Sequence, residues 1–112
     1  MRIPENPLDF LQACVRSGQL RWTYHAAMRM AQRGLTAEEL IDAVGSFEIL
    51  EQYPDDKYLP SYLVRAEAHG RVFHAQIAAD TESHNVRIVT MYVPDRTEWS
   101  ADMRTRRKAG AL

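Results

Sequence analysis

The apolar positions of this chain change period once, near Gly45. Before it they recur every three or four residues, the spacing of a helix face; after it they alternate, the spacing of a strand. Leu8, Leu11 and Val15 form the first helical stripe, with Phe10 and Cys14 beside it. Asn6 followed by Pro7 marks its start, an N-cap ahead of a proline at the first helical position, and Gly18 marks its stop. Gln19 to Trp22 reads as a connector or a short edge strand. A second helix, capped by Thr23, runs to Gly34, with Tyr24, Ala27, Met28, Ala31 and then Leu35 expected on its packing side. Thr36-Ala37-Glu38-Glu39 is a capping box, and Leu35 and Leu40 flank it as a hydrophobic staple. It predicts a third helix over 37–44, packed through Leu40, Ile41 and Val44.

Beyond Gly45 four strands are predicted. Phe47 to Tyr53 alternates, Pro54 to Lys57 turns, and Ser61 to Ala68 places Tyr62, Val64 and Ala66 on one face. His69-Gly70 is a two-residue hairpin signal. Val72 to Ala79 follows, with Phe73, Ala75, Ile77 and Ala79 as its core set and His74 and Gln76 facing away. After a polar loop, Val86 to Val93 is the last strand, with Val89, Met91 and Val93 as its apolar set and Ile88, Thr90 and Tyr92 as its mixed set. If the mixed sets share a face, His74 and Tyr92 are cross-strand neighbours. Trp99 to Lys108 is predicted to form a short final helix, with Trp99 as a lid on the core. The class is α+β: N-terminal helices on one face of a four-stranded antiparallel meander. One domain spans 1–112, with 1–5 and 104–112 expected to be flexible.

Charge adds a second layer. The formal net charge of −1 excludes a chain that binds nucleic acid by overall charge. The charges are segregated, however. From Phe10 to Ala37 there are Arg16, Arg21, Arg29 and Arg33 and no acid, whereas Glu38 to Asp56 holds acids and no Lys or Arg. On the second helix His25, Arg29 and Arg33 fall at i, i+4 and i+8, a single stripe. Two readings compete: a solvated face whose arginines pair with acids elsewhere in the fold, or an anion site, since guanidinium forks match phosphate geometry. No apolar run approaches the roughly 20 residues of a membrane span. The N-terminus lacks the apolar stretch of a secretory signal, and the single Cys14 suits a reducing cytoplasm. The scattered histidines offer no metal-ligand spacing, so neither metal nor cofactor is expected.

Several of these residues, taken in order, resemble a known bacterial family. His25-Ala-Ala-Met-Arg29-Met-Ala-Gln-Arg33-Gly34-Leu-Thr36, Tyr53-Pro-Asp-Asp, Tyr62-Leu-Val, Phe73-His74-Ala-Gln-Ile and Thr90-Met-Tyr92-Val-Pro94-Asp95 with Trp99 are similar to the "domain of unknown function 4258" family, from about Leu20 to Trp99. The resemblance implies a small α+β domain like the RelE/barnase-like toxin ribonucleases. It also implies a cytoplasmic bacterial toxin–antitoxin setting, with an antitoxin-like partner of the zinc-finger or helix-turn-helix kind. Its polar motif positions are His25, Arg29, Arg33, His74 and Tyr92. The tract containing Arg104, Arg106 and Arg107 suits the basic ending of such toxins.

Metal-independent RNA cleavage needs a base for the 2′-OH, an acid for the leaving oxygen, and cations for the phosphate. His74 and His25 suit the first two roles because an unperturbed imidazole titrates near working pH. Arg29 suits the third, and Tyr92 would orient the phosphate or stack on a base. Arg33, Gln76, Arg104, Arg106 and Arg107 are the expected substrate contacts. The rival expectation is a non-catalytic module that docks an acidic partner through the arginine stripe, with structural histidines.

Overall fold

The computed structural model describes residues 2–107; Met1 and the expected flexibility of 108–112 lie outside the described residues. The elements are α1 (Pro7–Arg16), β1 (Leu20–Trp22), α2 (Tyr24–Gln32), α3 (Ala37–Asp42), β2 (Glu48–Tyr53), β3 (Ser61–Ala68), β4 (Arg71–Asp80) and β5 (Asn85–Tyr92). All three predicted N-caps form. Asn6 Oδ1 accepts from the Asp9 amide at 3.2 Å, Thr23 Oγ1 from Ala26 at 3.0 Å and Thr36 Oγ1 from Glu39 at 3.1 Å. Removing the last cap with Thr36→Ala should destabilise the fold by about 1 kcal/mol. Chemical denaturation reads this directly, and an unchanged midpoint would show that the cap is not needed.

The predicted meander forms part of a larger sheet. β2, β3, β4 and β5 pair antiparallel in succession, and β1 adds a fifth strand, parallel to β5, in the order β1-β5-β4-β3-β2. The fold is thus mixed α+β with one parallel pair. Gln19 to Trp22 supplies that edge strand through Leu20↔Val86, Arg21↔Arg87 and Trp22↔Ile88. His69 and Gly70 both take positive φ (54° and 76°), the signature of a type I′ hairpin between β3 and β4.

The core lies between the helices and one face of the sheet. Leu11, Cys14, Val15 and Leu40 meet Tyr62, Val64, Ala66, Phe73, Ala75, Ile77 and Ala79, the sets that alternation assigned inward. On β5 the assignment changes. The register slips between Gln76 and Ile77, so Val89 is the extra residue of a bulge and turns outward, while Val86, Ile88 and Met91 are all buried. Val93, expected inside, is half exposed.

The helices differ from expectation in two ways. α3 ends at Asp42 and a 3₁₀ turn, Val44–Ser46, finishes the predicted helix, leaving Ile41 42% exposed. α2 turns a different stripe inward. Ala26 is buried and Met30 packs on the core, while Tyr24 (82% exposed), Met28 and Ala31 face out. The reason is where α2 sits. It runs beside β5 beyond the end of the three-residue β1, where the edge of β5 away from β4 has no strand partner. There the Arg33 Nη1 donates to the Met91 carbonyl at 2.7 Å and to Thr90 Oγ1 at 3.2 Å. That contact replaces a missing strand partner for a backbone oxygen and fixes the rotation of the helix.

Candidate functional site

The second face of the sheet holds His74, and its neighbours follow from register. Arg65, His74 and Tyr92 stand in one cross-strand row, and Leu63, Gln76 and Thr90 in the next. His74 and Tyr92 are therefore neighbours, with ring centroids 5.3 Å apart. The expectation that this face stays open is overturned. Residues 95–107 fold back across it, and His74 is 0% exposed.

This covering segment is not the predicted helix. Asp95 caps a turn through the Thr97 amide, and Trp99 and Arg106 then form an isolated antiparallel bridge. Trp99 is buried as expected of a lid, but it seals the His74 face rather than the helix-side core: its ring meets the imidazole edge-on at 4.4 Å. Across the indole lies the Arg106 guanidinium, 4.7 Å from the ring centroid.

The arginines expected to be flexible substrate contacts are fixed in place. Arg106 binds Glu51 through Nε at 2.6 Å and Nη2 at 3.1 Å, a two-pronged pair. Arg104 Nε reaches Glu48 at 2.8 Å, and Arg107 Nε donates to the Arg96 and Trp99 carbonyls, both at 2.9 Å. Arg65 Nε donates to the Asp102 carbonyl at 2.9 Å. So 104–107 is tied down because the acids of β2 meet it. Gln76, likewise, donates from Nε2 to Ser61 Oγ at 2.9 Å, which in turn donates to Asp56 at 2.6 Å.

The hydrogen bonds of His74 fix its tautomer. Nε2 lies 2.8 Å from the Met103 carbonyl, which only accepts, so Nε2 carries the proton. Nδ1 then accepts from the Tyr92 hydroxyl at 3.2 Å. Met103 takes a left-handed backbone (φ 62°), an unfavourable conformation for a side chain of its size. Burial pushes the imidazole pKa below its usual value; the Met103 carbonyl pulls it up, and the Arg65 and Arg106 charges push it down. Burial also raises the Tyr92 hydroxyl. Glu51 is held low, first by the hydrogen bond from Arg106 and also by that from Tyr53. His74 is thus a neutral, doubly bonded imidazole inside a polar cluster.

The α2 residues stand apart from this cluster. His25 and Arg29 are exposed, on the helix that flanks β5, and Arg33 is engaged with the Met91 carbonyl. The five expected members therefore divide into a buried pair, His74 and Tyr92, and an outer pair, His25 and Arg29, with Arg33 as a structural link.

Ion pairing separates the arginines further. Arg65, Arg71, Arg87, Arg104 and Arg106 each pair with an acid. Among the described residues Arg21, Arg29 and Arg33 pair with none, so the acid-free run stays unneutralised in three dimensions. Sequence reasoning missed Arg87 and Asn85, which join Arg21 across the β1–β5 pair. The only signal was Arg21 in the acid-free run, because a parallel pairing leaves no local pattern.

Among the described residues no helix is long and apolar enough to cross a membrane. No curated protein and no solved structure matches the chain. The family model "Domain of unknown function (DUF4258)" matches residues 22–93, from the edge strand through β5. That match takes in the α2 stripe and the His74–Tyr92 pair together, and the chain belongs to the DUF4258 family.

Proposed function

We propose that this is an RNA-binding domain of the toxin-like, RelE/barnase-like kind, and that it grips RNA with the β1–α2 side rather than with the His74 face. One observation carries the reading: Arg21 and Arg29 are exposed and without an ion pair among the described residues, while five other arginines pair with acids. A desolvated or neutralised arginine stabilises the fold; an unneutralised pair beside an exposed Tyr24 suits phosphate and base stacking. Cleavage by His74 requires residues 95–107 to leave the sheet, because both imidazole nitrogens are bonded and the ring is fully buried.

A titration with a labelled single-stranded RNA tests this. Affinity should fall as salt rises, and Arg29→Ala should weaken binding and reduce the slope of log K against log salt by roughly 0.7, the single-strand increment for one phosphate contact. An affinity independent of salt, or untouched by Arg29→Ala, would remove RNA binding on α2.

A second reading rests on Tyr24 and Met28, two exposed apolar side chains one helical turn apart and close to Arg29. They favour a docked acidic segment of a protein partner, such as an antitoxin-like protein. In that case Met28→Ser disrupts the partner complex and leaves RNA affinity unchanged.

A further inference from the structure

A cavity of about 340 Å³ opens where β1 meets β5, lined by Arg21, Trp22, Thr23, Ser83, Asn85 and Arg87. Leu20 and Trp22 pack on the core, so alternation sends Arg21 to the other side of the sheet. Arg87, between buried Val86 and Ile88, points the same way, and it is the register partner of Arg21. Like charges placed opposite each other destabilise a sheet unless something neutralises them. Asp80, 3.1 Å from Arg87, neutralises one. Arg21 has no ion pair among the described residues.

Asn85 supplies a second, independent signal. It is 3% exposed, yet its Oδ1 has no hydrogen-bond partner, and its Nδ2 has only the Ser83 carbonyl at 3.5 Å. A buried acceptor left unpaired costs stability, and in a residue that lines a cavity it points to a donor supplied from outside the fold. The lining contains no carboxylate. Thr23 begins α2, whose first turn has no acid, so the positive end of that helix adds to the field at the cavity.

We propose that this cavity holds one ribose-phosphate unit of an RNA strand. The phosphate sits between Arg21 and Arg87, and a ribose hydroxyl donates to Asn85 Oδ1. The unpaired Arg21 fork, together with the N–H donors of Arg87 that Asp80 leaves unused, selects a phosphate, and an acceptor with no proton of its own selects a hydroxylated sugar over deoxyribose. The assignment rests on the RNA reading above and names where on that side the strand is held.

The test uses the full chain and two labelled single strands of one sequence, ribo and deoxyribo, with thermal midpoints recorded for every variant. Wild type should bind the ribo strand about fivefold more tightly, the worth of one hydrogen bond. Arg21→Gln, a change at an exposed edge position, should reduce the salt slope by roughly 0.7. Asn85→Ala should abolish the ribo preference and leave deoxyribo affinity unchanged. Arg21→Gln matching wild type while Arg29→Ala still weakens binding would overturn the cavity and leave the α2 reading standing. Equal affinity for both strands, or a ribo preference that survives Asn85→Ala, would overturn the ribose assignment. Displacement of the strand by an equimolar ribonucleoside monophosphate would make the ligand a free nucleotide and overturn a strand site. No binding of either strand to wild type would overturn both readings together.

Discussion

Trp99→Ala should cost about 3–5 kcal/mol of stability, the usual range for truncating a buried tryptophan. The indole is 2% exposed and fills the space between His74 and Arg106. Without it the sheet face beneath residues 95–107 has no large apolar cover. The Arg106 guanidinium loses its aromatic support, and its two-pronged grip on Glu51 becomes an ordinary surface pair worth far less. Trp99→Phe should recover part of the loss, because the edge-to-face contact with the imidazole survives in a smaller ring. Urea denaturation measures both variants. The chain has only two tryptophans, so Trp22 remains as the fluorescent reporter. A loss under about 1 kcal/mol, the scale of an ordinary surface change, would show that the segment does not depend on this side chain.

The second large effect concerns His74 and acid. The folded state holds its imidazole neutral, with a pKa below the usual 6.5 because of burial. Above pH 6.5 folded and unfolded chains are both neutral there, and no pH dependence arises. As the pH falls below 6.5 the unfolded chain takes up a proton that the folded chain refuses. Stability then declines until the folded pKa is reached, by at most about 1.4 kcal/mol for each pH unit, the limit for one proton. Glu51 and Asp80 are held below their ordinary carboxylate values of 4.5 and 3.8, so their own losses on acidification come lower on the scale. His74→Gln should preserve the fold, since its amide can donate to Met103 and accept from Tyr92, and should flatten the decline below pH 6.5. Thermal midpoints from pH 7.5 to 5 give the comparison; an unaltered decline would mean that His74 is not the titrating group. The same variant also separates structure from chemistry. Loss of a proton-transfer group typically slows a reaction 100- to 10,000-fold, whereas a structural histidine replaced in this way leaves the rate of any RNA cleavage unchanged.

What the sequence discloses depends on how far its signals reach. Each helix start is written in four adjacent residues, and Asn6, Thr23 and Thr36 all cap as their chemistry requires. Alternation in β3 and β4 identifies the inward set, and with the mixed set of β5 it places His74 beside Tyr92. The bulge at Val89 breaks the same rule one strand later: the extra residue brings Ile88 and Val86 onto the inward face with Met91, where strict alternation put Ile88 on the opposite face. β1 is too short to show a period, and its partner lies at the far end of the chain. The covering segment is hardest to foresee. Arg104 and Arg106 look like a free basic end in one dimension and become ordered only where Glu48 and Glu51 meet them. The candidate site is therefore legible as residues but not as a grouping: pairing with distant acids decides which arginines remain available.

The parallel pairing of β1 with β5 also sets an order in time. During synthesis the helices and the β2–β3–β4 hairpins emerge first and can form from near neighbours. β1, made early, has no strand to join until β5 has been made, and the His74 row stays bare until residues 95–107 follow. Contacts between chain ends are slow to form because the intervening loop must be closed first. Residues 95–107 thus act as a closing step of folding. Until they are made, the chain exposes a strand edge and a polar sheet face to whatever the cell offers.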